Sequence, residues 1–192
     1  GHGERSVENF SKLSGLMTRQ GWVVQSLKLL DEAKNGEAPS VPEDADTVLI
    51  MDPKTLAAEA EVSAISSFIG QGGAVGVFLE PGGHMPVWLN KLGISMLEGS
   101  IRDTPIVWPH EDRPVMRYAR HAITEDLIAA NISTVIGRGT AIVTEPTEGV
   151  TVEAVLKTSH RGWIERGNER PSQFNEGVDE KGPLDAGIVL SA

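Results

Sequence analysis

The chain has 192 residues, an ordinary apolar fraction of 40%, no cysteine and a net charge of −10. The charge argues against nucleic acid or anionic lipid as a partner, because both need clustered Lys and Arg. The missing cysteine excludes disulfides, thiol nucleophiles and thiolate metal sites. Gly1-His2-Gly3-Glu4 reads as a turn. Ser6 then caps a predicted helix whose apolar face is Val7, Phe10, Leu13 and Met17, ended by Gly21. Residues 22–30 (WVVQSLKLL) read as a strand, and residues 31–44, acidic with Gly36, Pro39 and Pro42, as a loop.

Residues 46–81 carry the clearest signal. Two apolar, β-branched runs, 47–51 (TVLIM) and 74–79 (AVGVFL), show no polar alternation, which suits strands covered on both faces. Between them Ala58, Val62, Ile65 and Ile69 share one helical face, with Phe68 beside it, Thr55 as the expected N-cap and Gly70, Gly72 and Gly73 as the stop. The spacing predicts a right-handed βαβ unit with two adjacent interior strands.

The remainder is less regular. A short helix is expected over residues 85–92, closed by Gly93. Residues 94–120 hold three prolines and room for one or two edge strands. Thr124 is placed to cap a helix reaching Asn131, and short strands are expected at 135–136, 141–143, 150–158 and 186–190. Residues 161–183, rich in Gly, Pro and charge, read as a long surface loop anchored by Trp163 and Phe174. The expectation is a single α/β domain, residues 1–192. Its core βαβ region is 1–93; its irregular second half, 94–192, contains the long loop and a terminal strand. No run of about 18 apolar residues and no signal peptide is visible. The chain begins at Gly1 and reads as a fragment, so missing targeting signals carry no weight.

Several motifs, in order, resemble one family. They are Gly1-His2-Gly3-Glu4, Gly21-Trp22-Val23-Val24, and Val41-Pro42-Glu43-Asp44-Ala45-Asp46 leading into Val48-Leu49-Ile50. Pro53-Lys54, Gly72-Gly73 and Glu80-Pro81 follow. His121-Ala122-Ile123-Thr124 stands where the family has His-Pro-Ile-Thr. Leu156-Lys157-Thr158-Ser159, Trp163 and Asp179-Glu180-Lys181-Gly182-Pro183 complete the series. The chain resembles the extracytoplasmic auxiliary domain of uncharacterised ABC-type transport systems, whose best-known namesake is the gliding-motility-associated transporter protein. That resemblance implies a three-layer α/β sandwich with a mainly parallel sheet, flavodoxin-like or class I glutamine-amidotransferase-like. It also implies a place outside the cytoplasmic membrane, anchored by segments outside this chain, with permease and ATPase subunits as partners. The family carries a further strand ahead of the Gly-His-Gly-Glu segment.

Asp52-Pro53 and Glu80-Pro81 each end an apolar run, so in a parallel sheet both carboxylates sit on the carboxyl edge, where open α/β sheets bind ligands. The candidate pocket for a small polar ligand is His2, Glu4, Asp52, Glu80 and His84, with Trp108 as a stacking residue. The competing reading is turn chemistry, since the residue before proline avoids the helical region. His2, His84, His110, His160 and Glu80 lack the spacing of a zinc motif. There is no G-x-S-x-G elbow around Ser14 or Ser159, and without cysteine amidotransferase chemistry is out. Gly70-Gln71-Gly72-Gly73 closes a helix rather than opening one, so it reads as a C-cap and not a phosphate loop. Trp22 and Trp88 read as core. The resulting expectation is a non-catalytic binding or scaffold domain without metal or cofactor. The alternatives are a carbohydrate- or small-molecule-binding domain and a cysteine-free hydrolase.

Overall fold

The structure is a computed structural model that describes residues 7–32, 38–55, 57–167 and 171–191. The chain divides into two compact units. The first runs to Leu79 and includes Gly83–Trp88; the second is Glu80–Gly82 with residues from Leu89 onward.

In the first unit a turn of 3-10 helix, Val7–Phe10, leads into α1 (Ser11–Arg19). Gly21, at φ 92°, turns the chain out of the helix. The expected strand at 22–30 does not form: residues 22–28 have no regular structure and Leu29–Glu32 is a single helical turn, α2. A β-branched run becomes a strand only beside a partner, and these residues pair with none of the described strands.

The central βαβ unit forms. β1 (Thr47–Met51) and β2 (Ala74–Phe78) are parallel, with Val48 opposite Val75 and Ile50 opposite Val77, and α3 (Glu59–Gly70) crosses between them. They make a two-stranded sheet, so neither is the interior strand that their apolar character predicts. Ala64, Ile65 and Phe68 of α3 pack with Val48 and Leu29 as the core. The buried stripe includes Glu61 and is rotated from the face read through Ala58, Val62 and Ile69. Ala58, not Thr55, is the N-cap. Its N–H donates to Glu61 Oε2 at 2.9 Å, half of a capping box. At the other end the N–H groups of Gly72 and Gly73 donate to Ile69 O and Phe68 O, both at 2.9 Å. A Cβ on Gly73 would meet the Phe68 ring at 2.3 Å, so glycine there is a packing requirement. α4 (Val87–Lys91) follows.

The second unit is antiparallel. Its strands are β3 (Ile94–Met96), β4 (Ser100–Arg102), β5 (Ile106–Val107), β6 (His110–Tyr118), β7 (Thr134–Val135), β8 (Ile142–Thr144), β9 (Thr151–Lys157), β10 (Trp163–Glu165), β11 (Glu180–Lys181) and β12 (Asp185–Ser191). A 3-10 turn, Ala122–Thr124, and α5 (Glu125–Ala129) lie between β6 and β7. Seven strands form one sheet in the order β3-β8-β12-β9-β6-β5, with β7 also on β6; β11-β10-β4 form a second. Every pairing in both is antiparallel.

The expected three-layer, mainly parallel sandwich, flavodoxin-like or amidotransferase-like, is therefore corrected: β1–β2 is the one parallel pair among the described strands. Parallel neighbours need a crossover of a dozen or more residues. Between β5 and β6 stand only Trp108 and Pro109. β6 also alternates, burying Pro114 and Met116 and exposing Arg113 and Arg117, the pattern of an antiparallel strand wetted on one face.

The presumed loop at 161–183 contains β10 and β11. Ile164 is 0% exposed and packs with Ile101, Ala141 and Leu184. Buried polar groups hold the backbone within and on either side of this segment. Asp103 accepts hydrogen bonds from Ser159 N and Ser159 Oγ. Asp179 accepts from Arg166 N and Asn175 N, and Thr158 Oγ1 accepts from Leu184 N at 2.8 Å. Phe174, an expected anchor, is 42% exposed. Truncating Ile164 to Ala should cost about 2–4 kcal/mol, and Ile50→Ala, at a half-buried site, about 1–2 kcal/mol, as read from urea midpoints. The amides of Ile164 and of Gly182, which donates to Gly162 O at 2.7 Å, should exchange slowly in a hydrogen-exchange experiment.

Candidate functional site

Within the first unit a cleft of about 750 Å³ runs along β1. One wall is a helical face, Phe10, Leu13, Ser14 and Met17, set by the periodicity that makes α1 amphipathic. α1 buries none of its own residues, so this apolar stripe faces the cleft rather than a filled core. Residues 21–30 line it without interruption, as do residues 44–51, and Val62 and Ile65 of α3, His84 and Trp88 complete the lining. Most of this surface is hydrocarbon. Of its polar groups, Glu61 is committed to the α3 N-terminus and Ser14 Oγ donates to Ser11 O at 3.2 Å.

His2 and Glu4 lie outside the described residues. Asp52 is buried at the end of β1, where its carboxylate pairs with Lys54 at 2.5 Å and its N–H donates to Phe78 O at 2.8 Å. With φ at 53° it occupies the left-handed region that Asp tolerates better than most residues. Its role is to terminate β1 on β2. His84 is exposed and lines the cleft. Glu80 and Trp108 belong to the second unit, both exposed, Trp108 at 84%.

The other candidates have structural partners. Ser159 Oγ donates to Asp103 Oδ1 at 2.6 Å and accepts from Arg161 N at 3.0 Å, which staples a turn. Trp163 is half-buried, with Nε1 directed to Glu165 Oε2 at 3.4 Å. Among the described residues no group of three or more His, Asp or Glu side chains is placed to hold a metal ion. Trp22, read as core, is 48% exposed and lines the cleft. The sequence reads Phe10, Leu13 and Met17 as one apolar helix face, residues 22–30 as a strand and Trp22 as core, and none of these readings marks a cleft. Periodicity marks an apolar face but not what covers it.

No family model matches the chain, and no curated protein does. Among solved structures the fold is similar to one described as the mmIFT52 N-terminal domain. The TM-score is 0.55 at 16% identity, over 82% of this chain and 73% of that one. At that identity the likeness concerns the fold alone, and it stands in place of the flavodoxin-like or amidotransferase-like assignment. No helix among the described residues is long and apolar enough to cross a membrane.

The structural role of Asp52 can be measured. Asp52→Ala should lower stability by about 1–2 kcal/mol through left-handed strain and the lost ion pair. Asp52→Asn, which keeps the backbone tolerance, should cost clearly less in the same urea titration.

Proposed function

We propose that this chain is a non-catalytic binding and scaffold domain of an ABC-type transport system. In this reading it works on the extracytoplasmic face of the cytoplasmic membrane beside the permease and ATPase subunits, with membrane attachment through flanking segments. The ordered motif series from Gly1-His2-Gly3-Glu4 to Gly182-Pro183 supports the transport setting. The observation that carries the binding role is the open apolar cleft along β1, whose hydrocarbon walls suit recognition. Catalysis needs a nucleophile, an acid–base group or an open metal site in set geometry. Here the hydroxyls of Ser14 and Ser159 serve as local staples. A second reading, sugar binding, is favoured by one observation: the indole of Trp108 is open for stacking.

Two measurements test the proposal. Hydrolase and amidase substrates, with and without divalent metal, should show no turnover above buffer; turnover abolished by His84→Ala would overturn the non-enzyme reading. Photo-crosslinkers placed at Trp22 and Leu13 in membranes of the source cells should capture a permease or ATPase of the ABC class. Crosslinks confined to proteins of other classes would overturn the transport setting.

A further inference from the structure

The cleft is bounded in part by the backbone of β1. β1 uses its even-numbered residues to pair with β2: Ala74 N donates to Asp46 O at 3.2 Å, and Asp52 N donates to Phe78 O at 2.8 Å. In a parallel ladder alternate residues direct both backbone groups to the same neighbour. The N–H and C=O groups of Thr47, Leu49 and Met51 therefore point to the opposite edge of β1. The cleft lies along that edge: all of β1 lines it and no residue of β2 does. The unbroken run 21–30 also lines it, with apolar residues of α1 and α3, among them Leu13, Met17, Val62 and Ile65.

We propose that this cleft takes an extended peptide strand of a partner protein, laid beside β1. The strand would be about five or six residues long, apolar on both faces, with a basic residue at one end. The proposal rests on the reading of the chain as a binding module and narrows it to a class of ligand. The edge groups of β1 select a peptide, because an apolar small molecule would leave them facing hydrocarbon without hydrogen bonds. A second copy of this chain is a poor donor, since every described strand is already paired in its own sheet. Charge sets the end preference. Asp44 and Asp46, both exposed, flank the cleft where β1 begins, on a chain of net charge −10.

The test titrates the 192-residue chain with a labelled peptide, Lys-Val-Ile-Val-Thr-Val-Ile, and with the same peptide N-methylated at alternate amides. Saturable binding is expected. Exchange at the amides of Thr47, Leu49 and Met51 should slow on the order of tenfold or more. N-methylation should weaken binding at least about tenfold, because it removes the donors that a strand must present. The double substitution D44K/D46K should weaken the Lys-led peptide and strengthen a Glu-led one. Met17→Asp, at a partly exposed position on a helix with no fully buried residue, should weaken both. Absence of binding, equal binding of the N-methylated peptide, or binding that leaves those amides unchanged would overturn the proposal. So would a longer form of the same polypeptide that protects these amides without added peptide, which would mean the strand comes from the chain itself. Failure here with intact permease crosslinks removes only the peptide ligand; peptide binding without those crosslinks removes only the transport setting.

Discussion

A β-strand has two hydrogen-bonding edges, and β1 satisfies one of them through β2. Much of the first unit follows from that constraint. The parallel ladder needs a crossover, and α3 supplies it, placing Ala64, Ile65 and Phe68 against Val48. Both ends of the ladder are pinned. Asp52 donates to Phe78 O at one end, and Ala74 donates to Asp46 O at the other. Phe68 lies where only a glycine at position 73 leaves room. The backbone groups of Thr47, Leu49 and Met51 point to the second edge, and all of β1 lines the cleft.

The second unit depends on a different device. Its apolar centre is small, with Ile101 and Ile164 at 0% exposure beside Ala141 and Leu184. Around it buried polar side chains capture backbone N–H groups: Asp103 those of Thr104 and Ser159, Asp179 those of Arg166 and Asn175, and Glu165 that of Gly167. Each capture satisfies a buried carboxylate and an irregular backbone together. This is how a stretch rich in Gly, Pro and charge becomes ordered without much apolar area.

Such captures hide chemistry from a linear reading. Ser159-His160 resembles part of a catalytic set, yet Ser159 is half of a staple to a residue 56 positions away. Asp52 and Glu80 look equivalent as acids before proline. The structure puts Asp52 in an ion pair with Lys54 and Glu80 on the surface of the other unit. The residues that form the cleft are ordinary hydrophobics, Phe10, Leu13, Met17 and Trp22, with nothing in their identity to separate them from core.

The local sequence determined the βαβ unit, because the periods that mark a strand and a helix are properties of backbone geometry and read directly from 47–51, 58–69 and 74–79. The same holds for the glycine stop of α3 and for most short strands after residue 130, whose places were legible to within a few residues. Tertiary structure alone decided pairing. Whether β9 and β12 lie parallel or antiparallel, whether residues 22–28 join a sheet, and whether Arg102 and Asp103 meet Ser172 and Ser159 depend on contacts between distant segments. Period and composition report how a segment is built and how apolar it is. They do not report which neighbour satisfies its edges, and that choice made the second unit antiparallel and left the cleft beside β1.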